Sequence, residues 1–354
     1  MILVYKYRLK GRRSERKLRA LAGTVNQVWN FCVQTQKKIQ RNWKEGLQTS
    51  WISHFSLVKL SAGSSKELGI HAQSIQGVCK QFVTSRDQHK KCPRYRCSVG
   101  TSRSLGWIPF QRQSRKITTD SVTYLGTTYK FFGAKRRPLP GNARGGHFVE
   151  DARGKWYVCF HVDVDQLSAA TGDSVGIDLG LKTLATFSDG TKIENPQHYK
   201  DLESKLGIAQ RARNSKRVKA IHAKIKNRRS DYLHKQSTKV ASCYKEIFVG
   251  NVSSIKLAKT SMAKSVYNAS WSTFKNYLRY KVSRHGGNFL EVEERNTTRM
   301  CSNCLDTPSS SPKGMDALGM RSWSCSSCVS YHDRDINAAK NILRIGRSTS
   351  PLVE

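Results

Sequence analysis

The sequence has few acidic residues, no long apolar run and no cationic amphipathic segment that stands alone. Its 354 residues include 25 Asp and Glu against 62 Lys and Arg, which gives a formal net charge of +37. No apolar run approaches the roughly 20 residues that a helix needs to span a bilayer, so a membrane partner is not expected. A surplus of one charge repels itself unless a polyanion neutralises it, and the composition therefore predicts a nucleic-acid partner.

The N-terminal segment also lacks the pattern of a signal peptide, because charged residues interrupt the stretch 1–10. The ten cysteines are therefore expected to stay reduced, and close pairs are interpreted as metal ligands. Two C-x-x-C pairs, Cys301 with Cys304 and Cys325 with Cys328, are separated by twenty residues, which is typical of a zinc ribbon. Four sulfur ligands leave no open coordination position, so the predicted Zn²⁺ is structural.

The hydrophobic pattern changes its period along the chain. The first half predicts a strand at 2–9, helices at 14–47 and 71–86, and several strands between about 105 and 164. After residue 170, short apolar strands alternate with helices, which is the pattern of an α/β domain. The expected strands are 174–178, 184–188, 246–249 and 288–293, and the expected helices are 201–240, 267–280 and 335–345.

Two acidic residues stand at the ends of predicted elements. Asp178 ends an apolar strand, and Asp335 opens the last helix. Each has an ordinary interpretation, because Asp is common in turns and at helix N-termini. Together they match a Mg²⁺-dependent phosphodiesterase, in which carboxylates hold two cations about 4 Å apart. Such a site usually needs a third carboxylate.

The helical stretch 201–240 carries twelve Lys or Arg and three acidic residues. A run of charge is often only a solvated face, but this excess is one-sided and predicts contact with a nucleic-acid backbone. The residues expected to make that contact are Arg211, Arg213, Lys216, Arg217, Lys224, Lys226, Arg228 and Arg229.

Three motifs carry a resemblance to a known family. They are Gly-Ile-Asp-Leu-Gly-Leu-Lys-Thr-Leu-Ala at 176–185, Ser-Trp-Ser-Cys-Ser-Ser-Cys at 322–328 and Asp-Arg-Asp-Ile-Asn-Ala-Ala-Lys-Asn-Ile at 333–342. With them, the segment 174–346 resembles the RuvC-like nuclease domain of the TnpB proteins, which are relatives of type V CRISPR effectors. The resemblance implies an α/β plus β architecture. An RNase H-like RuvC domain with an inserted zinc ribbon would follow a β-barrel-like wedge module that carries a helical recognition insertion.

The resemblance also implies domain boundaries. They are 1–12 and 105–170 for the wedge, 13–104 for the recognition insertion, 171–300 and 329–346 for the RuvC-like domain, 301–328 for the ribbon and 347–354 for a tail. The implied function is a metal-dependent DNA endonuclease of a transposable element, guided by RNA from the transposon end. It would cut double-stranded target DNA beside a short flanking motif, in the cytoplasm and at the nucleoid of a prokaryotic cell.

One position departs from the family pattern. Most members carry Glu at the end of the strand that here ends at Gly250. In an RNase H-like sheet of order 3-2-1-4-5, Glu294 follows the neighbouring parallel strand and can reach the same edge. Glu294 is therefore the predicted third ligand, although it can also be an ordinary loop acid, and Asn268 is a weaker substitute. The open alternatives are a cleavage-inactive, RNA-guided DNA-binding protein of repressor type and a transposase or resolvase-like recombinase.

Overall fold

The first half of the chain is organised around an antiparallel sheet. The structure, a computed structural model, describes residues 1–44, 51–111, 115–140, 143–252, 263–313 and 319–349. The chain divides into two compact units, Met1–Val164 and Asp165–Glu354. None of the described helices is long and apolar enough to cross a membrane.

The first unit contains two sheets. A four-stranded antiparallel sheet has the order β1-β7-β6-β2, and a three-stranded antiparallel sheet has the order β3-β4-β5. An isolated bridge between Leu9 and Phe131 joins them at one corner. The strands of these two sheets are β1 (Ile2–Arg8), β2 (Trp107–Gln111), β3 (Arg115–Ile117), β4 (Ser121–Tyr124), β5 (Thr127–Lys130), β6 (Ala143–Glu150) and β7 (Trp156–Asp163).

Between β1 and β2 the described residues form four helices. They are α1 (Arg12–Lys44), α2 (His54–Leu60), α3 (Ser64–Leu68) and α4 (Ala72–His89). The predicted helices at 14–47 and 71–86 are confirmed for the described residues, while residues 45–47 lie outside them. The short helices α2 and α3 were not expected, because Ser and Gly interrupt their sequence and neither is long enough to show a helical period. The helices and sheets share one buried core.

The second unit contains a five-stranded sheet with the order β10-β9-β8-β11-β12. Numbered within this unit, that is the order 3-2-1-4-5, as expected for an RNase H-like sheet. β11 runs parallel to both β8 and β12, which confirms the predicted direction of the central strands. The strands are β8 (Gly172–Leu179), β9 (Thr183–Phe187), β10 (Lys192–Glu194), β11 (Tyr244–Gly250) and β12 (Asn288–Val292). A separate two-stranded sheet pairs β13 (Ser322–Ser324) with β14 (Tyr331–Asp333).

The helices of the second unit break where the chain adopts left-handed backbone. The predicted helix 201–240 is two helices, because Arg213 has a φ of +48° and Asn214 caps the second one. Likewise, Ser270 has a φ of +53° and divides the predicted helix 267–280. The helices are α5 (Lys200–Arg211), α6 (Ser215–Cys243), α7 (Ala263–Ala269), α8 (Trp271–Arg284) and α9 (Arg334–Thr349).

The last helix is longer than its sequence pattern predicted. It continues to Thr349, so residues 347–349 of the expected tail are helical, and 350–354 lie outside the described residues. The physical reason is packing against the sheet, because the helix remains seated on the second unit one turn further. Arg347 donates a hydrogen bond of 2.8 Å to the Ser174 hydroxyl, and Gly346 is buried against Phe248.

Candidate active site and metal centre

The last helix packs tightly on the sheet over Gly176. A Cβ built on this residue would lie 2.5 Å from the Leu343 backbone nitrogen, so only glycine lets the helix come this near. Ala338 and Ala339 are buried at the same contact, as their small size predicted. Side chains alternate along a strand, and Asp178 therefore lies on the face of β8 that α9 covers.

The strand register puts position 250 beside Asp178. Phe248 pairs with Gly176 and Val249 with Ile177, so the next residue of each strand is Gly250 and Asp178. Residues at the same register position of neighbouring strands point to the same face, so a side chain at 250 would point to the face that the helix covers. It would lie roughly 4.8 Å from Asp178, the spacing of neighbouring strands. This is the position at which the family resemblance predicts an acid and this sequence has glycine.

The carboxylate of Glu294 lies in the space over Gly250. A Cβ built on Gly250 would lie 2.5 Å from Glu294 Oε2 and 3.4 Å from its Cβ, with Ile342 Cδ1 at 3.3 Å. Glu293, the residue before it in the chain, is exposed. A glycine at 250 and a glutamate at 294 are therefore complementary, because any larger residue at 250 would collide with the carboxylate.

Three carboxylates interact at this edge of the sheet. The pKa of Asp178 is raised to about 7, first by burial and then by repulsion from Asp335 and Glu294, while Arg334 partly offsets the rise. Burial also raises the pKa of Glu294, and the ammonium group of Lys275 opposes that rise. Partly buried carboxylates that repel one another favour a bound cation, because hard divalent ions take oxygen ligands and reverse this penalty.

The two acids of the Asp-Arg-Asp motif have different surroundings. The Asp333 carboxylate accepts hydrogen bonds of 3.0 and 3.1 Å from the backbone nitrogens of Asp335 and Ile336, so it caps α9. It also pairs with Lys192 at 2.9 Å. Asp335 lies in the first turn of the helix, half-buried, with the Arg321 guanidinium 3.9 Å away. Of the two, Asp335 is the one that raises the pKa of Asp178.

The four predicted cysteines form a cluster that fits a metal ion. The sulfurs of Cys301, Cys304, Cys325 and Cys328 all lie within 4.8 Å of one another. Among the described residues, no other group of three or more His, Cys, Asp or Glu side chains has its ligand atoms this close together. The three carboxylates are thus more widely spread than the ligands of a single ion. Each C-x-x-C pair forms one tight turn, here called a knuckle: Cys301–Cys304 is the first and Cys325–Cys328 the second. Two such pairs of sulfur ligands suit tetrahedral Zn²⁺. His332 Nε2 lies 3.0 Å from the Cys301 sulfur.

Two asparagines on α9 hold the first cysteine knuckle. Asn337 is 1% exposed, and its amide nitrogen donates to the Met300 carbonyl at 2.8 Å while its oxygen accepts from Ser302 N at 2.8 Å. Asn341 is fully buried and donates to the carbonyls of Thr297 and Met300 at 2.9 and 2.7 Å. The helix that carries Asp335 is therefore bonded directly to the backbone that carries Cys301.

The predicted nucleic-acid-binding residues lie on the hairpin of α5 and α6. Seven of the eight are exposed, and the first half of α6 has no buried residue among Ser215–Lys224. Arg229 differs, because it is half-buried and donates a hydrogen bond of 2.9 Å to the Tyr267 carbonyl. Burial also lowers the pKa of Arg229. The seven exposed residues are Arg211, Arg213, Lys216, Arg217, Lys224, Lys226 and Arg228.

Sequence reasoning missed the residues that join the two centres. Asn337 and Asn341 recur at the helical spacing of four on the packing side of α9, where the pattern otherwise has apolar residues. A polar residue at a packing position must find hydrogen-bond partners, and that was the available signal. Lys275, which pairs with Glu291 at 2.5 Å and influences Glu294, had no comparable signal. The side chain of Asn268 lies outside the described part of the chain.

Comparisons with known proteins agree with this architecture. A family model described as "Probable transposase" (OrfB_IS605) matches residues 157–261, and one described as "Cas12f1-like, TNB domain" matches residues 271–342. A solved chain in the cryo-EM structure of a Cas12f1–sgRNA–target DNA complex superposes with a TM-score of 0.59. It is 13% identical and covers 94% of this chain and 83% of that one, which is a likeness of fold.

Several curated relatives are similar in sequence. A Streptomyces pristinaespiralis protein named "Putative RNA-guided DNA endonuclease" is 27% identical over 332 residues, 89% of this chain and 80% of the relative. InsQ of Escherichia coli (strain K12), which carries the same name, is 26% identical over 56% of each chain. The TnpB-like protein L79 of Acanthamoeba polyphaga mimivirus is 28% identical over 49% of this chain and 37% of its own length. This chain therefore spans most of the first relative and less than two thirds of the other two.

The fold and the four-cysteine cluster are similar to those of the TnpB and Cas12 class of proteins. Within that class the two family matches and the curated relatives are more specific. Through both family models and the curated relatives, the chain is similar in sequence to the TnpB family.

Proposed function

We propose that this protein is an RNA-guided, Mg²⁺-dependent DNA endonuclease of a transposable element, with Asp178, Glu294 and Asp335 as its metal-binding carboxylates. The observation that carries the proposal is the position of the Glu294 carboxylate over Gly250, beside Asp178. A nuclease that had merely lost its middle acid would have no reason to place another carboxylate in the vacated space. The partners are a guide RNA and a double-stranded DNA target.

The residues themselves do the positioning in this mechanism. Asp178 is fixed on the central strand, Asp335 on a helix that Gly176 allows close to the sheet, and Glu294 just beyond the edge strand. Bound divalent cations would supply an activated water and stabilise the departing 3′-oxygen. Partial burial strengthens the attraction of the three carboxylates for such cations, because less water competes for them.

We propose that the cysteine cluster holds Zn²⁺ and braces the active site. The first knuckle is hydrogen-bonded to Asn337 and Asn341, and the second precedes β14, after which α9 begins with Asp335 two residues beyond the strand. Zinc would thus fix the backbone on both sides of the helix start. No cysteine is assigned a chemical step, since all four sulfurs point to the cluster.

One experiment tests the nuclease. The protein is purified with co-expressed RNA, the RNA is sequenced, and the complex is incubated with a supercoiled plasmid library that carries the matching target in Mg²⁺. We expect cleavage that Asp178→Ala and Glu294→Ala abolish and Glu293→Ala leaves intact. Glu293→Ala is the matched control, because it removes a neighbouring acid that is exposed.

The second candidate is guided binding without cleavage, which the glycine at position 250 favours. Tight, guide-dependent binding of the target with no cleavage in Mg²⁺ or Mn²⁺ would establish it and remove the nuclease. Cleavage that survives Glu294→Ala would instead leave the nuclease standing and remove only the assignment of the third carboxylate.

A further inference from the structure

A basic pocket with an exposed aromatic wall lies where β1 and β5 end in the first unit. The backbones are joined there by hydrogen bonds of 2.8 Å from Lys10 N to the Lys130 carbonyl and from Phe132 N to the Arg8 carbonyl. Side chains alternate across these extended segments. Phe131 is consequently buried at 1% exposure, while Phe132 is 51% exposed.

The pocket has a volume of about 500 Å³, within the roughly 300–1,000 Å³ typical of small-ligand sites. Cations flank the ring of Phe132, with Lys10 Nζ at 5.1 Å and Arg8 Cζ at 5.7 Å from its centroid. Opposite them the chain turns at Gly133, whose φ is +91° and whose carbonyl accepts from two following backbone nitrogens. The lining residues are Lys10, Asp120, Phe131, Phe132, Gly133, Ala134, Lys135 and Arg136.

We infer that this pocket binds one unpaired nucleotide of the guide RNA, with the base stacked on Phe132 and the adjoining phosphates near Lys10, Lys135 and Arg136. An exposed ring between cations fits both parts of a nucleotide, because every base has a π-face and every phosphate is anionic. The carboxylate of Asp120 repels phosphate, so the phosphates would lie on the opposite, basic side of the pocket. The pocket lies in the first unit and shares no residue with the proposed active site.

RNA is favoured over target DNA because stacking needs a base that is free of its partner strand. Loops and ends of a folded RNA present such bases permanently, whereas the DNA target is paired until it is opened. The identity of the partner rests on the proposed function. The test measures RNA binding, so its outcome is independent of whether the protein cleaves.

The experiment uses the full-length chain and two fluorescent probes, a single-stranded oligo(U) RNA of about ten nucleotides and a fully paired RNA duplex of equal length. Anisotropy titrations are made across a range of salt concentrations. Stacking is worth at least about 1 kcal/mol per base, so we expect Phe132→Ala to weaken oligo(U) binding about fivefold with an unchanged salt slope. Phe132→Tyr should bind normally, and duplex affinity should not change.

The control is Phe55→Ala, which removes another exposed phenylalanine (82%) of the same unit and should have no effect. Other basic surfaces also bind the probe, so a second measurement identifies the site. An oligo(U) that contains 4-thiouridine is photocrosslinked, and the crosslinked peptide is sequenced. Crosslinks to the segment 130–136 are expected. Their absence, or equal losses on single-stranded and duplex RNA after Phe132→Ala, would overturn the inference.

Discussion

Moving the third carboxylate from position 294 to position 250 tests the assignment of the active site directly. Glu294→Ala alone removes one carboxylate and should abolish most cleavage. Gly250→Glu alone adds a fourth where there is no room for it. The double variant Gly250→Glu/Glu294→Ala places one carboxylate at the end of β11, beside Asp178 on β8, and it should recover cleavage that each single variant lacks.

The distances around position 250 indicate how large the effects on stability and cleavage should be. In the Gly250→Glu variant the new Cβ would lie 2.5 Å from Glu294 Oε2, closer than real atoms pack, so the native carboxylate must move. That oxygen ends a flexible side chain, so the displacement should cost about 1 kcal/mol in the free energy of unfolding, the lower end of the usual range for overpacking. Loss of a metal-binding carboxylate is worth about 3 kcal/mol or more of transition-state stabilisation, which is about 10²-fold in rate. In the double variant the crowding oxygen is gone, and the Cβ that remains at position 294 would be 3.4 Å away, an ordinary contact.

Single-turnover cleavage of a guided plasmid and thermal unfolding are measured for all four proteins. We expect the double variant to exceed Glu294→Ala by about tenfold or more, and its melting temperature to exceed that of Gly250→Glu. A control, Gly250→Gln/Glu294→Ala, has the same shape without the charge and should not recover. If Glu294→Ala cleaves at the native rate, or if the double variant stays as inactive as Glu294→Ala, the reasoning is refuted.

Three other contacts lead to predictions of their own. The pKa of Asp178 is raised in the fold, so the folded state binds more protons than the unfolded state between pH 4 and 7 and metal-free stability should fall as pH rises through that range. In thermal melts in EDTA, Asp178→Asn should weaken this dependence and leave the part due to Glu294, whose pKa is also raised. Cys304→Ser should release zinc and lower cleavage, whereas Asn337→Ala should retain zinc in a chromogenic chelator assay yet also lower cleavage, and full activity of Asn337→Ala would contradict the bracing role. Arg228→Gln should reduce the salt slope of DNA binding by about 1, while Arg229→Gln should lower the melting temperature and leave the slope unchanged, because Arg229 bonds the Tyr267 carbonyl.

The sequence predicted those features that depend on local pattern and spacing. The four cysteines, the strand that carries Asp178 and the helix that begins near Asp335 follow from short motifs; the cysteines cluster as expected, and both elements are present with slightly different bounds. The sheet order could be predicted only through the family resemblance. It is set by which apolar strands pack together across the core, and no local pattern encodes that choice.

Other features depend on backbone conformation or on contacts between distant residues. The breaks at Arg213 and Ser270 lie where a non-glycine residue adopts positive φ, which neither residue type favours. Asn214, a common N-cap residue, was the one local signal for the first break. The hydrogen bonds of Asn341 to Thr297 and Met300 span more than forty positions along the chain. The distinction between Arg228 and Arg229 is similar, since adjacent cations of equal charge differ only in what folds against them.

The asparagine contacts explain why a structural zinc cluster can matter to a reaction in which it takes no part. Without zinc, residues 301–328 have little apolar surface to bury, because the cluster core consists of Trp323 and the cysteines themselves. Where that loss of order extends to the preceding residues 297–300, the fully buried amide of Asn341 loses the carbonyls it donates to, at a cost of about 1–3 kcal/mol. The helix would then gain by shifting towards water, and Asp335 would shift with it. In this proposal, zinc binding and the position of the Asp335 carboxylate are coupled through the first two turns of α9.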